Sequence, residues 1–93
     1  MTSAEIEKTI IDTLVELQAG TGEPGVEITA ATKPLADLGF FDSLLAIETT
    51  LTLEQKLNCK CPNDNAFVEK DSEKILTIAQ IAARLAHIQG KAA

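Results

Sequence analysis

Ninety-three residues carry 8 Lys and Arg against 14 Asp and Glu, a formal charge of −6, with 45% hydrophobic residues and only 3% aromatic ones, all Phe. That length points to one domain over residues 1–93, burying roughly 60–65% of its unfolded surface around an aliphatic core. No apolar run reaches ~18 residues and no basic region precedes an apolar block at the start, so neither membrane insertion nor a signal peptide is expected, and the acidic balance argues for basic protein surfaces rather than nucleic acid or anionic membrane as partners.

The spacing predicts a first helix over residues 3 to 19. Thr2 and Glu5 have the interval of a capping box. Ile6, Ile10, Leu14 and Leu17 recur at helical spacing, and Ile11 and Val15 widen the stripe. Gly20 is the expected stop. Residues 19 to 37 then read as a long loop, because Gly20, Gly22, Pro24 and Gly25 crowd its start. Val26 and Ile28 alternate with polar neighbours over too short a stretch for a strand. Pro34, Leu35 and Leu38 should pin the far end of the loop to the core.

A second long helix is expected over residues 42 to 57. Its apolar positions form two sets. Leu44, Ile47 and Leu51 cluster on one side, and Ala46, Leu53 and Leu57 lie roughly 130° away. A surface helix needs one apolar stripe. So this helix is either buried on both sides or offers one stripe to a partner, and the rarity of exposed apolar patches favours burial. Pro62 should break the chain. A short helix is expected between residues 63 and 74, around Ala66, Phe67 and Val68. The last helix opens at Thr77 with Gln80 in capping-box spacing, carries Ile78, Ile81, Leu85 and Ile88, and should end at Gly90. The fold class is all-α: a bundle of three main helices and a short one, with a long loop after the first.

The densest chemical signal is Leu38-Gly39-Phe40-Phe41-Asp42-Ser43-Leu44. Asp42 is a good N-cap, which places Ser43 in the first helical turn. Backbone N–H groups are unpaired there and the dipole is positive, so a phosphate ester on Ser43 would be stabilised. Taken alone, the pair reads more readily as an ordinary cap, because capping serines are common. With Ile47-Glu48, Leu53-Glu54-Gln55-Lys56-Leu57, Cys61-Pro62 and Leu76-Thr77-Ile78 in register, however, the segment resembles the attachment motif of acyl carrier proteins. The resemblance covers about two thirds of the chain.

That resemblance implies a carrier rather than an enzyme. Ser43 would bear 4′-phosphopantetheine taken from coenzyme A by a separate phosphopantetheinyl transferase, with Asp42 as part of the motif. Acyl or aminoacyl groups would ride on the arm as thioesters. Leu44, Ile47 and Leu51 would dock partner enzymes that activate or transfer the cargo, and Glu48 and Glu54 would add acidic rim contacts. Three departures point to a dedicated pathway rather than ordinary fatty-acid synthesis. Phe40 and Phe41 both stand between Gly39 and Asp42, a spacing that resembles D-alanyl carriers and stand-alone aminoacyl or specialised carriers. Leu45 stands where fatty-acid carriers commonly have an acid. The stretch from Pro62 to Ile75 is also longer than usual, so residues 63 to 72 are a candidate partner surface or cargo entrance. The rival is a helical adaptor that binds a basic protein through Leu44, Ile47 and Leu51 without a prosthetic group.

Other constellations carry less. Cys59 and Cys61 lack the further ligands of a zinc site, and adjacent-but-one cysteines rarely close a disulfide, so a reducing, cytoplasmic setting is expected. Cys61 reads as a buried structural thiol and Cys59 as a more exposed one. Asp64, Asn65, Glu69, Asp71 and Glu73 lack EF-hand order. His87 reads as a surface residue rather than a partner for Ser43 in a hydrolase. Gly20-x-Gly22-x-x-Gly25 has no strand before it and is no dinucleotide fingerprint. Phe40 and Phe41 read as loop anchors. No metal site is expected, and a monomer suits a shuttle.

Overall fold

The computed structural model describes residues 2–22, 27–61, 65–69 and 74–92. Pro24, Gly25, Val26, Pro62, Asp64, Asp71 and Glu73, each named in an expectation above, lie outside the described residues, as do both bounds of the candidate surface over residues 63 to 72. Four helices follow in order: α1 (Ser3–Thr21), α2 (Pro34–Asp37), α3 (Ser43–Leu57) and α4 (Ile78–Ala92). Among the described residues there is no strand, only an isolated antiparallel bridge between Val68 and Ile75. The all-α bundle expected from the hydrophobic spacing is the observed architecture.

Helix α1 begins on the expected capping box. The Thr2 hydroxyl accepts from Glu5 N–H at 3.2 Å, and Glu5 Oε1 accepts from Thr2 N–H at 3.0 Å. Ile6, Ile10 and Leu14 are fully buried, one helical turn apart each time, so a single stripe faces the core. The helix runs past Gly20. It stops where Gly22 takes φ 73°, a left-handed conformation that glycine adopts without steric penalty, and turns its N–H to the Ala19 carbonyl at 3.4 Å. One glycine inside a helix only weakens it, so the one that can reverse the chain sets the end.

The expected loop over residues 19 to 37 contains a helical turn, α2. Pro34 sits at its start, where its missing N–H leaves nothing unpaired. Asp37 Oδ2 reaches back to accept from Lys33 N–H at 2.8 Å. Pro34 and Leu38 are buried, so the far end of the loop is pinned as expected. The near part is tied to α4. Ile78 N–H donates to the Thr32 carbonyl and Ala79 N–H to the Ala30 carbonyl, both at 2.9 Å. These bonds satisfy first-turn donors of α4 that have no partner within the helix.

The short helix expected between residues 63 and 74 is absent from its described part. Residues 66–67 form a turn, Glu69 N–H donates to the Lys74 carbonyl at 2.8 Å, and Leu76 N–H donates to the Phe67 carbonyl at 3.0 Å. Phe67 is wholly buried, and the Arg84 guanidinium of α4 donates to the Val68 carbonyl at 2.8 Å. Those pairings take the backbone across to another segment, in competition with the i to i−4 bonds of a helix. Among the described residues the one short helix is α2, before α3.

Helix α4 opens on the expected Thr77–Gln80 pair, with reciprocal bonds of 2.9 and 3.2 Å. It continues through Gly90 to Ala92. It packs along α1, burying Ile78, Ile81, Ala82 and Leu85. Gln89 Nε2 donates to the Leu57 carbonyl at 2.7 Å, tying α4 to the end of α3.

Candidate functional site

The segment before α3 is held from behind. Phe41 N–H donates to the Leu38 carbonyl at 3.0 Å, closing a turn over Gly39 and Phe40. The Phe41 ring is 3% exposed and meets Phe67 edge-on, with centroids 4.9 Å apart. Phe40, half-buried, meets Phe41 in the same manner at 6.2 Å. Both act as the anchors expected of them. With the aromatic pair turned inward, the next two residues are left at the surface.

Asp42 is the N-cap of α3. Its Oδ1 accepts from Leu45 N–H at 2.8 Å, and its carbonyl accepts from Ala46 N–H at 2.9 Å. Ser43 is the first helical residue and is exposed. Its hydroxyl has no hydrogen-bond partner among the described residues. The first turn holds no acidic side chain, so the positive end of the helix dipole faces outward beside Ser43 Oγ. Chemically the site is an accessible alcohol beside unpaired backbone donors. A phosphodiester formed on that oxygen would find unpaired first-turn N–H groups beside it, with the Asp42 carboxylate at the cap turned to the Leu45 N–H. The residues present therefore fit a phosphate-linked prosthetic group.

The two faces of α3 part company. Ala46 and Leu53 are fully buried and Leu57 nearly so, while Leu44 is 66% exposed, Ile47 38% and Leu51 57%. Burial on both sides, which the pattern alone favoured, is corrected: the Leu44–Ile47–Leu51 stripe faces outward. The reason is positional. Phe67 and the flanks of α1 and α4 gather on the Ala46–Leu53 side, and no described element covers the other. Leu45 packs half-buried against the core. With Glu48 it lines a groove of about 350 Å³ that also takes in Thr13, Glu16 and Lys56.

Two polar residues have structural jobs that spacing did not reveal. Thr50 is 1% exposed; its hydroxyl donates to the Ala46 carbonyl at 2.8 Å and accepts from Ala66 N–H at 3.0 Å. Glu54 is half-buried rather than a freely solvated rim charge, and its Oε2 accepts from Cys61 N–H at 2.6 Å. The readable signal for Thr50 was its place one turn after Ala46, on the face that also holds Leu53 and Leu57. For Glu54 no local signal existed, because its partner is seven residues away across the helix end, where Asn58 turns the chain at φ 51°.

Cys59 and Cys61 are unpaired and both half-buried, so Cys61 is less enclosed and Cys59 less open than expected. Burial, then the Glu54 carboxylate, pushes the Cys59 thiol up. The same causes in the same order, with Cys59 adding to them, push Cys61 up to about 11. Raised thiols are poor metal ligands and poor nucleophiles at neutral pH. His87 is exposed on α4. Gly20 lies within α1 and Gly22 caps it, so neither belongs to a phosphate-binding loop. Of the acidic stretch read against an EF-hand, Asn65 and Glu69 are described, and Asn65 Oδ1 accepts from Phe67 N–H at 2.9 Å.

The family model for the phosphopantetheine attachment site matches residues 12–85. No curated protein and no solved structure matches the chain. The matched span holds Asp42, Ser43, all of α3 and most of α4. Carrier domains of this kind are generally non-catalytic and hold 4′-phosphopantetheine covalently. A helical bundle that presents a free serine hydroxyl at a helix mouth, matched over four fifths of its length, belongs to the phosphopantetheine attachment site family of acyl-carrier-type proteins.

Proposed function

We propose that this protein, a single domain over residues 1–93, carries acyl or aminoacyl groups as thioesters on a 4′-phosphopantetheine arm joined to Ser43. The observation that carries this reading is the exposed Ser43 hydroxyl at the mouth of α3, with no described residue holding it. In the loading reaction a separate phosphopantetheinyl transferase binds coenzyme A. Ser43 Oγ attacks the pantetheine-side phosphorus, an O–P bond forms, and adenosine 3′,5′-bisphosphate leaves with the electrons of the broken pyrophosphate bond. The serine proton passes to a base on the transferase. Asp42 keeps the first turn of α3 formed, so that the oxygen stays in place. When bound, the arm supplies a terminal thiol for thioester formation.

Leu44, Ile47, Glu48 and Leu51 are the proposed contacts for the transferase and for the enzymes that load and unload cargo. Their position on one exposed face, starting next to Ser43, supports this role. The protein works as a cytoplasmic monomer in a dedicated pathway. Half-buried Leu45 and the Phe40–Phe41 pair before Asp42 favour that over ordinary fatty-acid synthesis. Incubation with coenzyme A and several broad-specificity transferases tests the reading by intact mass. One arm is expected on the wild type and none on Ser43→Ala. No gain on the wild type with any transferase sinks the carrier and leaves the prosthetic-group-free adaptor.

A further inference from the structure

The groove lined by Leu45 and Glu48 faces α1 rather than the exposed ridge of α3. Its volume of about 350 Å³ is that of a small-molecule site. Leu17 and Leu45 form apolar walls, and Glu16, Glu48 and Lys56 supply the charge. Lys56 Nζ donates to Thr13 Oγ1 at 2.9 Å and meets no carboxylate among the described residues. Neither the Glu16 nor the Glu48 carboxylate has a hydrogen-bond or ion-pair partner among them. Two carboxylates against one ammonium leave the groove one negative charge in excess. Thr49 lines it too and is 3% exposed. The hydroxyls of Thr9, Thr13, Thr50 and Thr52 each donate to the carbonyl four residues back. The Thr49 hydroxyl makes no such bond and has no other partner among the described residues. A buried hydroxyl left unpaired costs stability, so its presence in the groove calls for a ligand that pairs with it.

We propose that this groove receives the free ammonium of an aminoacyl group on the arm, which makes the cargo class aminoacyl rather than simple acyl. This rests on the carrier reading of Ser43. In a thioester the carboxyl of an amino acid is spent, so an aliphatic aminoacyl cargo keeps one charge, its ammonium. That ammonium brings three N–H donors, for which Glu16, Glu48 and the Thr49 hydroxyl are acceptors. Leu17 and Leu45 cover the aliphatic side chain. A simple acyl chain brings neither charge nor donor. In the same place it would strip water from two carboxylates and leave the Thr49 hydroxyl unpaired. The groove therefore discriminates through what the wrong cargo leaves unsatisfied. Leu45, at its near end, is two residues from Ser43 and about 200° around the helix from it. The crossing over the helix mouth is about 10–12 Å, less than the extended length of a phosphopantetheine arm.

The test loads the full chain from two synthetic coenzyme A derivatives with a broad-specificity phosphopantetheinyl transferase. One derivative carries leucine and the other carries 4-methylpentanoate, its deaminated counterpart. Each is joined through an amide in place of the thioester, so that neither hydrolyses. Backbone amide chemical shifts are read against the chain with a bare arm. The leucyl arm should move the resonances of Leu17, Leu45, Thr49 and Thr52, and the 4-methylpentanoyl arm should leave them in place. Glu16→Gln and Thr49→Val should each abolish most of the leucyl-induced shift. Thr49→Val should also melt at or above the wild type, since it removes an unpaired hydroxyl at nearly constant volume. Glu16 is exposed, so Glu16→Gln decides the matter where Thr49→Val fails to fold. Equal shifts from both arms, or none from the leucyl arm, overturn the aminoacyl assignment and leave the carrier intact. No arm on Ser43 from coenzyme A itself overturns both.

Discussion

Single side chains set the chemistry available near α3. Thr50 fills a buried position with a hydroxyl because two backbone groups need it, the Ala46 carbonyl and the Ala66 N–H. A buried N–H left without an acceptor costs about 1–3 kcal/mol, so this polar residue in an apolar row is a requirement of the fold. Glu5, in the first turn of α1, is held below its ordinary carboxyl value by the backbone and side-chain hydrogen bonds from Thr2. A depressed folded value means that its contribution is present above the unfolded pKa and fades as pH falls through the folded one. Cys61 moves the other way, up to about 11, chiefly through burial. Its thiolate fraction at neutral pH is correspondingly small. Alkylation of Cys61 by iodoacetamide, mapped by mass, should be slow at pH 8 and rise about tenfold per pH unit toward 11. A plateau already reached near pH 9 contradicts the raised value.

At the scale of elements, α3 divides labour between two rows. The Ala46–Leu53–Leu57 row holds the helix on the core, and the Leu44–Ile47–Leu51 row is left over. Substitutions on the two sides should therefore differ sharply in their cost to stability. Leu53→Ala is expected to cost about 2–5 kcal/mol, read from the urea midpoint. Leu44→Asp is expected to stay within about 0.5 kcal/mol while weakening transferase recognition. Equal destabilisation by both would mean that Leu44 is covered in solution. The C-terminal end of α3 is fastened by Glu54 to Cys61 and by Leu57 to Gln89, and the N-terminal end is capped by Asp42, while one side stays open.

Across the whole molecule, the radius of gyration of 12.3 Å is that of a compact chain of this length. Compactness is achieved with three phenylalanines in one edge-to-face series, Phe40 on Phe41 on Phe67. This series joins the turn before Ser43 to the segment that precedes α4. Aromatic pairs of this geometry contribute about 0.5–1.5 kcal/mol beyond their buried area. Phe67→Ala should cost about 3–5 kcal/mol, a large share of the stability of a small domain. It should also slow arm transfer, because Phe41 loses the support that sets Asp42 and Ser43 at the surface. A variant destabilised to that degree but modified at the wild-type rate would show that the turn needs no such backing.

The long helices, their capping residues and the Asp42-Ser43 motif were legible because each depends on neighbours within a few positions. Thr2 needs only Glu5, Thr77 only Gln80, and Asp42 only the N–H of Leu45. The all-α class followed from the same short-range spacing, and the family followed from residues in register through α3. Tertiary structure decided the rest. It chose which row of α3 is buried, since two rows of similar apolarity are equivalent until α1, α4 and Phe67 occupy one side. It ended α1 at Gly22, and it gave Glu54 a partner beyond the helix end. It also drew Phe67 and Val68 into pairings with Leu76, Ile75 and Arg84 that displaced an expected helix. Periodicity records how a residue relates to its own helix, whereas burial records what packs against it, and that second fact exists only once the chain has folded.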